Sequence, residues 1–195
     1  MNSGRLQDAV RGAYSAAAED PKREHPFPVG CRFAESLGYP PDELAKLPAL
    51  SVEAFTGVSN VAVRADIPPG STVLDLGCGA GLDSLLAAAK TGPRGKVIGV
   101  DFSRSMLDRA RRGASEASLR NIAFREADAE RLPLEDASID VALVNGIFNL
   151  NPMRDAIFRE LARVVRAGGV VYAAELILRG DPRKTEELDE ANWFA

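Results

Sequence analysis

The sequence is poor in the residues that build metal centres and disulfide frameworks, with two cysteines and one histidine among 195 residues. Cys31 and Cys78 stand far apart and neither has a second cysteine at ligand spacing, so neither a zinc site nor a disulfide scaffold is expected. His25 falls in REHPFP, a turn by composition, where a solvated imidazole is expected rather than a catalytic one. Surplus positive charge is missing too. With 24 Lys and Arg against 28 Asp and Glu the net charge is −4, which excludes a partner held by neutralising many phosphates, nucleic acid above all. No apolar run approaches the roughly 18 residues of a membrane span. The opening MNSGRLQDAVRG has no signal-peptide core. No membrane partner and a reducing, cytoplasmic setting are therefore expected.

What is present divides near residue 70. A hydrophobic content of 46% is enough for one core. Residues 1–70 carry HPFP, YPPDE and IPPG, and prolines at that density permit only short helices, expected at about 5–18, 42–46 and 52–66. This segment reads as a helical lid. From Ser71 onward, TVLDLG, KVIGVD, NIAFRE, IDVALVN and VVYAAELIL are strand patterns. DSLLAAAKT, SRSMLDRARRGASEA and PMRDAIFRELARVVR are helix patterns between them. Asn151 is the expected N-cap of the last helix, with Pro152 at its first position and Gly168 beyond its end. Alternating strands and helices predict a doubly wound, Rossmann-like parallel α/β sheet over 71–195, with its ligand at the carboxyl ends of the strands.

The densest signal is VLDLGCGAGLD, residues 73–83. Gly77, Gly79 and Gly81 fall where the first strand turns into its helix. There, glycine admits positive φ and lets a ligand approach the main chain. A tight turn without ligand is the alternative, but Asp101 ends the next strand twenty residues after Gly81, the distance at which an acid receives ribose hydroxyls. A dinucleotide fingerprint would need glycine at position 82, where Leu82 stands. Asp75, in a buried strand, needs a partner for its charge, and a ligand ammonium would supply one; the alternative is a solvated strand-end carboxylate. An adenosine with an amino-acid tail, S-adenosylmethionine, meets these conditions.

VLDLGCGAGLD, VIGVDFS, ADAERLPLEDASIDVALVN and ELARVVRAGG, in that order, resemble the successive motifs of class I S-adenosylmethionine-dependent methyltransferases over residues 71 to about 178. Within them the chain is most similar to the arsenite methyltransferase group, through LAAAKTGPRGKVIGVD and the upstream GYPPDELAKLP. The resemblance implies S-adenosyl-L-methionine as cofactor and S-adenosyl-L-homocysteine as product. It places Asp75, Gly77, Gly79 and Gly81 at the methionine end and Asp101 at the ribose. Cys78 contributes its backbone within the glycine turn. Phe102 and Met106 border the adenine, Met106 having core packing as the alternative, and Asp128 with the Ala129 N–H reads the adenine edge. Asn145 contacts the methionine moiety, and Asp83 caps the helix after the turn, with assisting the ligand as its alternative.

Arsenite-methylating members hold the metalloid with cysteine thiolates at two positions that match Val58 and Gly146 here. Neither residue replaces a soft sulfur ligand. The resemblance thus implies a methyltransferase for a small-molecule acceptor. An S-adenosylmethionine-binding protein without turnover and an arsenite methyltransferase-like enzyme are the alternatives. Tyr14 in the lid and Phe148 and Asn149 in NGIFNLNP are candidate acceptor contacts, with lid-on-sheet packing as their alternative. No general base and no metal ligand stands out. Family sheets end in an antiparallel pair of strands after the fifth, whereas this sequence reaches ANWFA soon after a short polar helix at about 182–193. An open edge beside Leu176 and Leu178 is expected, reflecting a trimmed product, or covered by that helix or, with Trp193 and Phe194 at hand, by a second copy in a homodimer.

Overall fold

The computed structural model describes residues 3–177; the expected helix at 182–193, with Leu178, Trp193 and Phe194, lies outside the described residues. The chain opens with α1 (Ser3–Glu19) and four short helices, α2 (Cys31–Ser36), α3 (Pro41–Leu44), α4 (Ala49–Val52) and α5 (Val61–Arg64). Pro41 occupies the first position of α3, where its missing N–H is not needed. The sheet units follow: β1 (Thr72–Leu76), α6 (Leu82–Thr91), β2 (Lys96–Asp101), α7 (Arg104–Glu116), β3 (Ile122–Glu126), β4 (Ile139–Asn145), α8 (Arg154–Val164) and β5 (Val165–Ala174). All neighbouring strands pair in parallel in the order β3-β2-β1-β4-β5. The strand order reverses between β1 and β4, which opens a crevice at their carboxyl ends.

Each inner strand is apolar on both faces because both faces are covered. Val73, Val97, Val141 and Leu143 face α6 and the N-terminal segment, where Tyr39 and Phe55 join the same core. Leu74, Leu76, Val100 and Val144 face the other way, against Ile157, Leu161 and Val164 of α8. The N-terminal helices thus cover one face of the sheet and arch over its carboxyl end.

Three local expectations need correction. The helix expected at 52–66 is two pieces, with a loop over 53–60. The backbone N–H groups of Val58 and Ser59 are drawn out to the Asn145 side chain, at 2.8 and 3.0 Å, instead of bonding within a helix. Asn151 does not cap α8: its Oδ1 accepts from Met153 N at 2.7 Å in a turn that precedes the helix, which begins at Arg154. The fifth strand begins earlier than VVYAAELIL suggests. It follows α8 directly at Val165, with a register shift opposite Ile139 and Val141 and Gly168 at φ 78° within the irregular stretch. Among the described residues β5 is a sheet edge, with Val170 and Val171 exposed. Among them, too, no helix is long and apolar enough to cross a membrane.

Candidate functional site

Beyond Leu76 the chain turns sharply over the tips of β1 and β2. Gly77 N and Cys78 N both donate to the Val100 carbonyl, at 2.8 and 3.0 Å, and Gly81 N closes the turn on Cys78 O at 2.8 Å. Gly77, Gly79 and Gly81 all have positive φ. Their reasons differ. A Cβ at Gly79 would meet nothing closer than Met106 Sδ at 4.0 Å, so its main chain is bare on the cleft side. A Cβ at Gly81 would press on Ala110 at 3.0 Å, so that glycine serves helix packing.

Asp101 closes β2 and folds back on this turn. It accepts Gly79 N at 2.9 Å and Ser103 N at 2.8 Å, and burial holds its carboxyl above the usual range. Gly77, Cys78, Gly79, Asp101, Phe102, Asp128, Ala129, Asn145 and Tyr14 line one cleft at the carboxyl end of the sheet. Asp75, Gly81 and Met106 stand behind its wall. Met106 is fully buried with Ala17, Ala54 and Ala80. Phe148 and Asn149 are not brought to the cleft. Phe148 stacks on Phe158 with ring centroids 4.7 Å apart, and both backbone N–H groups turn to Glu175.

Asp75 and Asp83 find different partners within the fold. Asp75, 2% exposed, takes the Ser84 hydroxyl at 2.5 Å and the Ser84 backbone N–H, so it anchors the first turn of α6 from β1. Asp83 does not cap α6; it lines the cleft and accepts Tyr39 OH at 2.6 Å, Asn145 Nδ2 at 2.8 Å and Ala62 N at 3.3 Å. Burial raises both carboxyls above the ordinary range, and for Asp75 the charges of Asp83 and Asp101 add to it. The ion pairs of the described residues lie elsewhere, so none of these three buried acids is matched by a Lys or Arg side chain within 4 Å. Three buried carboxyls therefore gather beside the bare main chain at Gly79.

The roof is α1. Arg11 reaches Asp128 at 3.4 Å, and its guanidinium lies 5.5 Å from the centre of the Phe102 ring. Tyr14 stands edge-on to Phe102 at 6.5 Å and packs on Phe27 at 4.7 Å. Burial, and then the charges of Asp101 and Glu175, push the Tyr14 hydroxyl well above the ordinary phenol value, so it stays protonated. Sequence reasoning missed Arg11, and with it Glu130 and Asn151, which line the cleft and are joined at 2.8 Å. No motif marks Arg11; only the closure of α1 over the sheet brings it to Asp128. Cys31 is exposed in α2. Burial raises the Cys78 thiol well above its usual value, with Asp101 and Asp75 adding to the effect, which keeps it from being a thiolate.

A methyltransferase-domain family matches residues 67–192. The chain is 38% identical over 144 residues to an arsenite methyltransferase of Halobacterium salinarum, covering 74% of this chain and 37% of that protein. It is 37% identical over 106 residues to a demethylmenaquinone methyltransferase of Lactococcus lactis, covering 54% of this chain and 42% of that one. The chain thus spans under half the length of these curated relatives. Among solved structures, an arsenic(III) S-adenosylmethionine methyltransferase from Chlamydomonas reinhardtii superposes with a TM-score of 0.61 at 32% identity, over 67% of this chain and 46% of that one. With the parallel sheet, the glycine turn after β1 and the acid closing β2, these matches agree: the chain belongs to the family of S-adenosylmethionine-dependent methyltransferase domains.

Proposed function

We propose that this protein moves a methyl group from S-adenosylmethionine to a small uncharged or weakly polar acceptor. The observation that carries this is the cleft itself, where bare main chain at Gly79 meets buried acids that, among the described residues, have no Lys or Arg side chain within 4 Å. A ligand with a ribose and an ammonium group satisfies both. Asp101 would receive the ribose, and the Gly77–Gly79 backbone the methionine end, with Asp75 and Asp83 supplying the negative charge behind and beside it. Phe102 would border the adenine, Met106 filling the space behind, and Asp128 with the Ala129 N–H would read its edge. When bound, S-adenosylmethionine would supply a methyl already activated by its sulfonium for an acceptor nucleophile that loses its proton to water, leaving S-adenosylhomocysteine as the product.

The protein's part is alignment and exclusion of water. The α1 roof, with Tyr14, and the 53–60 loop enclose the cleft, and residues 1–70 together act as the lid. The acceptor space is lined by Phe55, Gly57, Gly146, Ile147 and Leu150, an apolar wall suited to a carbon, oxygen or nitrogen nucleophile on a small organic molecule. The arsenite-methylating relatives favour a metalloid instead, but the two matching positions are Val58 and Gly146, which offer no thiolate. This reading includes a cytoplasmic location and self-association along the β5 edge through Val170 and Val171; a monomer in sedimentation at high micromolar concentration overturns the latter.

The test is incubation with methyl-labelled S-adenosylmethionine and a pooled metabolite extract, with arsenite plus thiol in a parallel arm. Label in an organic product supports the proposal. Label in arsenic moves the assignment to metalloids, and calorimetric cofactor binding without transfer leaves a binding protein.

A further inference from the structure

The Asn145 side chain spans two parts of the fold. Its Oδ1 accepts Val58 N at 2.8 Å and Ser59 N at 3.0 Å, while its Nδ2 donates to Ser59 O at 2.7 Å and Asp83 Oδ2 at 2.8 Å. Donors on one side and acceptors on the other fix the orientation of the amide. Tyr39, 1% exposed, braces the same point, its hydroxyl lying 2.6 Å from Asp83 Oδ1 and 3.0 Å from Ser59 O. The loop is held at close quarters, since a Cβ at Gly57 would come within 2.5 Å of Asn145 Nδ2. One end of this network, Asp83, lies on the acidic side of the cleft; the other end is the loop that walls the acceptor space.

We infer that Asn145, braced by Asp83 and Tyr39, is a positioning residue that couples occupation of the cofactor cleft to the order of the loop at 57–60. This rests on the proposed cofactor site. Burial, and for Asp75 also the charges of Asp83 and Asp101, favours the protonated form of the carboxyls on this side of the cleft. A cationic ammonium beside them favours the ionised form, and an ionised Asp83 accepts more strongly from Tyr39 and Asn145 than a protonated one. Asn145 in turn holds Val58 and Ser59. The acceptor wall is thereby completed after the cofactor has entered, which sets the order of binding.

Hydrogen exchange of the Val58 and Ser59 amides, with and without S-adenosylhomocysteine, tests this, with β1 amides as the reference for global stability. In the unaltered chain the nucleoside is expected to slow exchange at both amides by about tenfold or more. Tyr39→Phe keeps the ring in the core and removes only the hydroxyl. It is expected to cut that slowing to under about threefold, while calorimetry still shows nucleoside binding and β1 remains protected. Gly57→Ala, which crowds Asn145 directly, is expected to speed exchange of Val58 and Ser59 in the nucleoside-free chain, and it stands in if Tyr39→Phe does not fold. Nucleoside binding that leaves both amides unchanged overturns the coupling alone. No binding by calorimetry overturns the cofactor site and the coupling together.

Discussion

Val58 lies directly against Gly146, so that a Cβ added to Gly146 would come 2.8 Å from Val58 Cγ1. The isopropyl group of Val58 thus packs directly on the bare backbone of Gly146. Gly146 also has φ 79°, which an L side chain adopts at a cost. Gly146→Ala is expected to destabilise the fold by about 2–3 kcal/mol, part from backbone strain and part from overpacking. Adding Val58→Ala should restore the packing share and leave the strain. A double-mutant cycle from denaturant melts checks this, and full additivity of the two changes would show that they do not press on each other.

Asp75 gives the protein a pH dependence of definite sign. Its carboxyl is raised by burial and then by the Asp83 charge, so the folded state keeps a proton that the unfolded state releases. Its contribution is fully present below the unfolded carboxylate value of about 4 and is lost as pH rises through the folded value. Asp140 and Glu160 work in the opposite sense. The Thr72 N–H and Arg166 hold Asp140 low, and Arg163 holds Glu160 low, so their stabilisation is lost as pH falls. A difference measurement separates these effects. Asp75→Asn is expected to gain stability relative to the unaltered chain as pH rises above about 4, by up to about 1.4 kcal/mol per pH unit. Thermal melts of both proteins from pH 4 to 9 check it, and a constant difference would mean that Asp75 is ionised throughout.

How much of this is visible in the residues alone follows from how far the deciding partners lie along the chain. The inner strands announce themselves because both their faces are covered, which makes VALV of β4 an unbroken apolar run and leaves VLDL of β1 interrupted only by the buried Asp75. The glycine turn and Asp101 are equally local signals. By contrast, Asp83 reads as a helix cap by position, while its actual partners, Tyr39 and Asn145, lie 44 and 62 residues away. The helix expected over 52–66 fails for the same reason, since Asn145, 86 residues beyond Ser59, takes the N–H groups that a helix would use. Phe148 and Asn149 look like cleft residues because they follow β4. The contact between Phe148 and Phe158 and the Glu175 carboxylate instead draw them toward α8 and the chain after β5.

Arg109 fastens the roof to the sheet unit. From α7 it donates to Ala18 O at 2.7 Å and Leu50 O at 2.9 Å, and it reaches Glu53 at 3.5 Å, so one guanidinium closes α1 and α4 together. Arg109→Ala is expected to cost about 1–3 kcal/mol and to speed release of S-adenosylhomocysteine, because the roof loses its anchor. Arg109→Lys should recover only part, a single ammonium being unable to span carbonyls on two helices. Stopped-flow dissociation together with melts would check this, and an unchanged off-rate in Arg109→Ala would show that α1 does not gate the cleft.

Lys90 performs the matching task beneath the lid. Its ammonium donates to the carbonyls of Ala62, Val63 and Ala65 at 2.7, 2.9 and 3.0 Å, satisfying the end of α5 from the last turn of α6. Hydrogen bonds from a charged donor contribute more than neutral ones, and Ala62 and Ala65 are buried, so water cannot readily replace all three. Lys90→Met keeps most of the stem and removes the donors; Lys90→Ala removes both. If the hydrogen bonds dominate, the two variants lose similar stability, about 1.5–3 kcal/mol, with exchange at 61–65 accelerated more than in β1. A Lys90→Met protein as stable as the unaltered chain would instead assign the effect to packing of the side-chain stem against α5.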